Sequence, residues 1–392
     1  MDHLSALLSR YRSGWSLERD FYTDAGIFDK EWQRIWRRQW LFAGTVAAIP
    51  KPGDYFVYQL GSDSVIVIRG NNAEVFAHHN TCRHRGSLIC LEEKGHAAKL
   101  VCPYHQWVFD KNGKLLKARL MPEDFDTHSH GLHPVKVEVV EGFIFICLND
   151  EAPDFEALRR DYTAFLRPYQ VNQSRLAFSK RYTLRTNWKL VAENFRECYH
   201  CGPAHPEYCS AVVGANLRED ISELLPIKQR EWQQKGLATE LVDFTPETTH
   251  FGIRYPLRPG VHSYSLDGKA VSIPMGQHPD HDAGVLGLVN YPNFWMDAVS
   301  DYMWTMRITP ISASSTQIDL AWLVDEKAEQ GKDFELEHLV AFWKVTGEQD
   351  WELCENNFSG IESSHYQPGP YAPVEDDVRR FVDWYIAEMK TT

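Results

Sequence analysis

Apolar positions along the chain change their repeat several times, and each change marks an element boundary. Between residues 16 and 40, Ile27, Phe28, Trp32, Ile35 and Trp36 recur at three- and four-residue spacing with charges on the other face, which predicts a turn and then an amphipathic helix. At Pro50-Lys51-Pro52-Gly53 the repeat shortens. Short apolar runs follow at 55–60, 64–68, 75–78, 100–101, 107–110 and 143–148, with hairpin turns predicted at Asn71-Asn72 and Lys111-Asn112-Gly113. This pattern predicts a small antiparallel β domain.

Helical spacing returns at 153–169. Residues 186–202 are helix-like, 211–260 are mixed, and 285–296, 299–309 and 315–324 read as consecutive strands before a long helix over 333–358. No internal repeat or low-complexity segment interrupts the pattern. The expected fold class is α+β, with an N-terminal helical part over 1–40, a β domain over 41–150 inserted into the larger domain, and the rest of that domain over 151–392.

Charge narrows the function classes. The chain carries 41 Lys and Arg against 54 Asp and Glu, a formal charge of −13, which argues against binding to nucleic acid or anionic lipid. No apolar run approaches the roughly 18 residues that cross a bilayer, and the N-terminal stretch breaks its apolar runs with charges. The expected location is the cytoplasm, with the eight cysteines reduced and free to bind metal.

Two of those cysteines stand beside histidines in the β domain. Cys82-Arg83-His84 is followed, after seventeen intervening residues, by Cys102-Pro103-Tyr104-His105. Two Cys and two His can hold one tetrahedral zinc. Zinc fingers, however, usually pair like ligands in one knuckle, whereas each loop here offers one Cys and one His. That mixture suits a Rieske [2Fe–2S] centre, with both thiolates on one iron and both imidazoles on the other.

A second constellation lies in Glu193-Asn194-Phe195-Arg196-Glu197-Cys198-Tyr199-His200-Cys201-Gly202-Pro203-Ala204-His205. Residues five apart on an unbroken helix diverge by about 140°. Gly202-Pro203 is expected to break the helix and let His205 turn back toward His200. Two imidazoles then need one carboxylate for a facial triad on non-haem Fe(II). Asp350 falls on the apolar stripe of the 333–358 helix, where a carboxylate is either hydrogen-bonded or metal-bound. Glu197, one turn before His200, is an exposed helix charge or a carboxylate that orients an iron-bound imidazole. Cys198-x-x-Cys201 lacks the βαβ surroundings of a thioredoxin-like redox pair.

These motifs together resemble the catalytic α component of Rieske non-haem iron oxygenases, over nearly the whole chain and in the family's order. The resemblance implies a helix-grip catalytic domain, an antiparallel sheet with covering helices, around a Rieske insert. It implies Cys82, His84, Cys102 and His105 as cluster ligands and His200, His205 and Asp350 as ligands of the mononuclear iron. It makes Glu197 the bridging acid, a position that is Asp in most ring-hydroxylating members, and Asn194 a residue lining the iron pocket. The Glu-Cys-Tyr-His-Cys block is similar to the branch that acts on quaternary ammonium compounds such as glycine betaine, stachydrine, carnitine and choline. Family members are trimers in which the cluster of one subunit faces the iron of its neighbour; His105 would then reach toward Glu197 and His200 of the next chain.

The implied activity is O2-dependent hydroxylation of an N-methyl group with loss of formaldehyde. The chain shows no Gly-x-Gly-x-x-Gly signature, so NAD(P)H electrons are expected through a separate flavin/iron–sulfur reductase. A small quaternary ammonium substrate would be held by aromatic faces at about 0.5–2 kcal/mol each. Tyr291, Trp295 and Trp304 are the candidates among the aromatics of the catalytic half. An aromatic-ring dioxygenase is the alternative, sharing the metal ligands and differing in the pocket.

Overall fold

The computed structural model describes residues 2–217, 219–244 and 248–391. It divides into two compact units, one formed by residues 38–155 and the other by residues 1–37 and 156–392. Within the prediction for 211–260, residues 218 and 245–247 lie outside the described residues.

The small unit is built from ten strands in three antiparallel sheets. β1 (Leu41–Thr45), β10 (Phe143–Cys147) and β9 (Lys136–Val140) form one sheet in that order. β4 (Val75–His79), β3 (Asp63–Arg69), β2 (Asp54–Leu60) and β5 (Lys94–His96) form the second. β6 (Leu100–Val101), β7 (Val108–Phe109) and β8 (Leu115–Lys117) form the third. The turns at Asn71-Asn72 and Lys111-Asn112-Gly113 join β3 to β4 and β7 to β8. Gly113 has φ +89°, and a Cβ there would come within 2.7 Å of the His78 ring, so only glycine fits this turn without strain. Ile66, Ile68, Leu100, Trp107, Phe109 and Leu115 form a core that also encloses the side chains of Cys82 and Cys102.

The large unit rests on a six-stranded antiparallel sheet ordered β11 (Ser174–Leu184), β16 (Ser315–Asp325), β15 (Met303–Ser312), β14 (Phe294–Ala298), β13 (Val285–Asn290) and β12 (His250–Tyr255). The run 285–296, predicted as one strand, is two. Tyr291-Pro292-Asn293 interrupts it, since proline has no N–H to give to a ladder. β11 and β12 went unread because β11 is half-exposed, with no clear apolar alternation, and β12 is bordered by a polar loop.

The helix Leu336–Ile361 covers the sheet. Leu339, Phe342, Trp343, Thr346, Asp350, Cys354, Phe358 and Ile361 are its buried residues at helical spacing. Trp343 stacks on Trp304 of β15 at 4.2 Å and nearly parallel. Elsewhere in this unit, Lys189 and Glu31 form a fully buried ion pair at 2.5 Å, and Glu31 also accepts from the Trp188 indole at 2.8 Å and the Tyr385 hydroxyl at 2.6 Å.

Candidate active site

The two Cys/His loops of the small unit share one backbone design. In the first, the Cys82 amide donates to the Ser87 carbonyl and the Gly86 amide to the Cys82 carbonyl, both at 2.9 Å. In the second, the Cys102 amide donates to the Trp107 carbonyl at 2.9 Å and the Gln106 amide to the Cys102 carbonyl at 3.0 Å. The equivalent residues Gly86 and Gln106 both take left-handed backbone, φ +77° and +60°. Each loop thus presents one buried sulfur and one half-buried imidazole on the same side. The His84 and His105 rings lie 4.5 Å apart, and Trp107 stacks on His84 at 4.9 Å.

These residues fit an iron–sulfur cluster. His84 Nδ1 is buried and has no hydrogen-bond partner among the described residues, as a ligand nitrogen waiting for metal would be. Burial pushes the Cys82 thiol up to about 11, and iron would reverse that by stabilising the thiolate.

In the large unit, the helix predicted over 186–202 ends at Asn194, and His200 and His205 flank the short helix Cys201–Ala204. Glu197 causes this local fold. Its carboxylate accepts from the amides of Tyr199 and His200, bonds that would otherwise continue the helix. The second break falls at His205 rather than at Gly202-Pro203. Pro203 is tolerated in the first helical turn, whereas Pro206 pushes the residue before it, His205, to φ −127° and ψ +69°. Cys198 and Cys201, expected as reduced thiols, are paired as a disulfide; the turn brings their Cα atoms to 4.7 Å, inside the range such bonds need.

The turn brings the predicted ligands together. Asp350 Oδ1 is 2.9 Å from His205 Nε2 and 3.2 Å from His200 Nε2. Adjacent positions of an octahedron with bonds of about 2.1 Å lie about 3 Å apart, so this spacing fits a metal ion on one face. The three donor atoms all lie within 4.8 Å of one another. The outer ring nitrogens are also held, His200 Nδ1 by Glu197 at 2.5 Å and His205 Nδ1 by the Gln349 side-chain oxygen at 2.7 Å. Those acceptors fix the tautomer in which Nδ1 carries the proton and Nε2 offers its lone pair to metal. Burial opposes charge on His200, but its bonds to Asp350 and Glu197 prevail and push it up to about 9. His205 is raised for the same reason through Asp350. Asn194 stands beside this seat, its amide nitrogen 3.4 Å from His200 Nε2.

A cavity of about 390 Å³ opens onto the three donors. Trp295 lines it together with Tyr208, Phe251, Tyr255 and Trp343. Tyr291 and Trp304 are not among its lining residues. Trp304 is covered by the Trp343 ring, and Tyr291 is packed among Phe244, Phe381 and Trp384 beyond the end of β13. Four charged lining residues escaped the sequence reading, Arg196, Glu219, Asp297 and Asp377. The Arg196 guanidinium lies 4.3 Å from the Tyr291 ring centre and 5.2 Å from that of Trp295, and its buried Nε has no acceptor. Adjacency to the Glu197 block was the available signal for Arg196; Asp297 sits in a strand and gave none.

Two family models match the chain. The Rieske [2Fe-2S] domain covers residues 39–137, and the catalytic domain of the ring hydroxylating alpha subunit covers residues 172–391. The chain therefore belongs to the ring-hydroxylating alpha subunits, the oxygenase components of Rieske non-haem iron enzymes, whose two domains serve a [2Fe–2S] cluster and a mononuclear iron. Among curated relatives, it is 38% identical to the glycine betaine monooxygenase oxygenase subunit of Chromohalobacter salexigens, over 99% of this chain and 89% of that one. The corresponding subunit of Pseudomonas aeruginosa is 36% identical, over 96% and 89%. A crystal structure of the quaternary ammonium Rieske monooxygenase CntA shares the fold with a TM-score of 0.75 at 21% identity, covering 98% of both chains. As an oxygenase subunit, the chain works with O2 and a reductase partner. Among the described residues, no helix is long and apolar enough to cross a membrane.

Proposed function

We propose that the chain is the oxygenase component of a monooxygenase that removes an N-methyl group, as formaldehyde, from a betaine-type quaternary ammonium substrate. The observation that carries this reading is a cavity that joins the His200, His205 and Asp350 donors to a lining of Tyr208, Tyr255, Trp295 and Trp343. Aromatic faces bind a cation that can neither donate nor accept a hydrogen bond. The free Nε of Arg196 in the same lining provides a donor for a substrate carboxylate.

His200, His205 and Asp350 would hold the mononuclear iron, and Cys82, His84, Cys102 and His105 the cluster. When bound, the iron supplies O2 activation and the cluster the electrons for it. Glu197 and Gln349 keep the two imidazoles in the tautomer that ligation needs. Asn194 is held beside the seat, where its amide can bond to what occupies the open positions. In this reading the chain is a cytoplasmic homotrimer served by an NAD(P)H-dependent flavin/iron–sulfur reductase. Exposed Leu88, Leu91 and Tyr104 border the cluster loops, and exposed Tyr199 borders Glu197, as expected where one chain's cluster docks beside another chain's iron site.

The test is turnover with NADH and such a reductase against glycine betaine, stachydrine, carnitine and choline. Formaldehyde should form in step with substrate-dependent O2 uptake for at least one of them. Conversion of an arene to a cis-diol, with no formaldehyde from any ammonium compound, would establish the ring dioxygenase instead.

A further inference from the structure

The iron-side cavity holds a negative charge that no metal seat uses. Asp297 lies on β14 two residues after Trp295, so both side chains leave the same face of the strand. It is 3% exposed. Its Oδ2 is 3.5 Å from the Tyr255 hydroxyl, its Oδ1 is buried with no hydrogen-bond partner among the described residues, and the Trp295 indole and Tyr255 hydroxyl beside it favour its charged form. The Tyr255 hydroxyl is itself engaged by Tyr264 at 2.9 Å.

On the neighbouring strand a residue without a side chain faces this carboxylate. Gly287 of β13 is directly opposite Asp297 in the register, and a Cβ there would stand 3.2 Å from Oδ1. Any side chain at 287 would crowd the free oxygen that now borders the cavity. A buried carboxylate in a cavity lining, with one oxygen unbonded and aromatic walls around it, is arranged to receive a cation.

We propose that Asp297 is a specificity-determining residue that takes the ammonium head of the substrate, with Tyr255 and Trp295 as its aromatic flanks. This rests on the betaine-type reading and deepens it: rings alone tolerate a neutral head of the same shape, and a counter-charge does not. The groups around Asp297 leave it the anionic partner. Tyr208, Tyr255, Tyr264, Tyr302 and Tyr169 all feel its charge, and burial raises every one of these hydroxyls, so they stay neutral. Burial also raises Asp297 itself to about 7, so a bound cation should expel part of a proton at neutral pH.

The experiment is calorimetric binding to the iron- and cluster-loaded enzyme, with three probes. These are glycine betaine, tetramethylammonium, and 3,3-dimethylbutyrate, which has the shape of betaine with carbon in place of nitrogen. The wild-type enzyme should bind betaine about ten-fold or more tighter than dimethylbutyrate, D297N should bring the two within about three-fold, and D297E should restore the preference. At pH 7, betaine and tetramethylammonium should release protons from the wild type, and dimethylbutyrate none. A D297N enzyme with intact cluster absorption and the wild-type ratio overturns the role of Asp297 while leaving the substrate reading in place. If D297N does not fold, equal proton release by betaine and dimethylbutyrate on the wild type overturns it. A wild type that binds neither betaine nor tetramethylammonium overturns the substrate reading itself.

Discussion

In the small unit, the four candidate cluster ligands come from two loops that span residues 82–105 and repeat one backbone hydrogen-bond design. In the large unit, the three iron-side donors come from a turn and from a helix 145 residues later, and they meet only because the sheet is covered. The first arrangement is local: two short loops aim their own side chains. The second depends on the whole domain, because Asp350 is placed by a helix stripe that must find its sheet. Loss of packing should therefore scatter the iron site and spare the geometry within each cluster loop.

The largest expected effect comes from removing ligands one unit at a time. Asp350→Ala or His205→Ala should cut turnover at least about 10³-fold, with mononuclear iron lost and the cluster absorption kept. Cys102→Ser should do the reverse, abolishing cluster absorption and labile sulfide while one iron per chain remains. Loss of both metal centres in either variant would break the contrast between the units.

Next comes the scaffold of the large unit. Glu31→Ala leaves Lys189, whose charge burial already disfavours, fully buried without this partner, and should cost about 3–5 kcal/mol in denaturant unfolding. Gln349→Leu removes the hold on His205 Nδ1 and a long bond to Glu207, and should weaken iron binding by about 10–100-fold in a metal titration with little change in melting. In the small unit, Gly113→Ala forces a left-handed turn and a clash with His78, costing about 1–3 kcal/mol by thermal unfolding.

A further effect is on acid stability. Burial, helped by the nearby Arg254 charge, lowers His278 to about 3. The unfolded chain takes up a proton near pH 6.5 that the folded unit refuses, so stability should fall as pH drops from about 6.5 toward 3. His278→Leu should make that decline shallower in unfolding measured across the range, and an unchanged slope would remove His278 as its source.

The local site was the more legible one. Cys82, His84, Cys102 and His105 announce themselves by spacing, and their loops need no distant contact to make sense. The iron side was legible only at its donors. That His200, His205 and Asp350 come together could be read, but the turn that joins them depends on Pro206 and on the Glu197 carboxylate capping two amides, and neither gives a periodic signal. Periodicity placed the long helix close to Leu336–Ile361 because its buried residues, Leu339 to Ile361, repeat along one stripe. It failed on Tyr291 and Trp304, since an aromatic in a strand looks the same whether it faces a cavity or lies beneath another ring. Asp297 was invisible for a related reason: a lone acid in an apolar strand has no pattern, and its meaning lies in the cavity it lines with Gly287.

The Leu336–Ile361 helix carries Asp350, the Gln349 that steadies His205, and the cavity residues Trp343 and Thr346. On the proposed ligand set, one rigid rod is at once a metal clamp and a wall of the chamber. Changes of appetite that remodel this rod risk loosening the iron, whereas changes on β12 to β14 leave the clamp untouched. New diets in this lineage should therefore be written on the strands first.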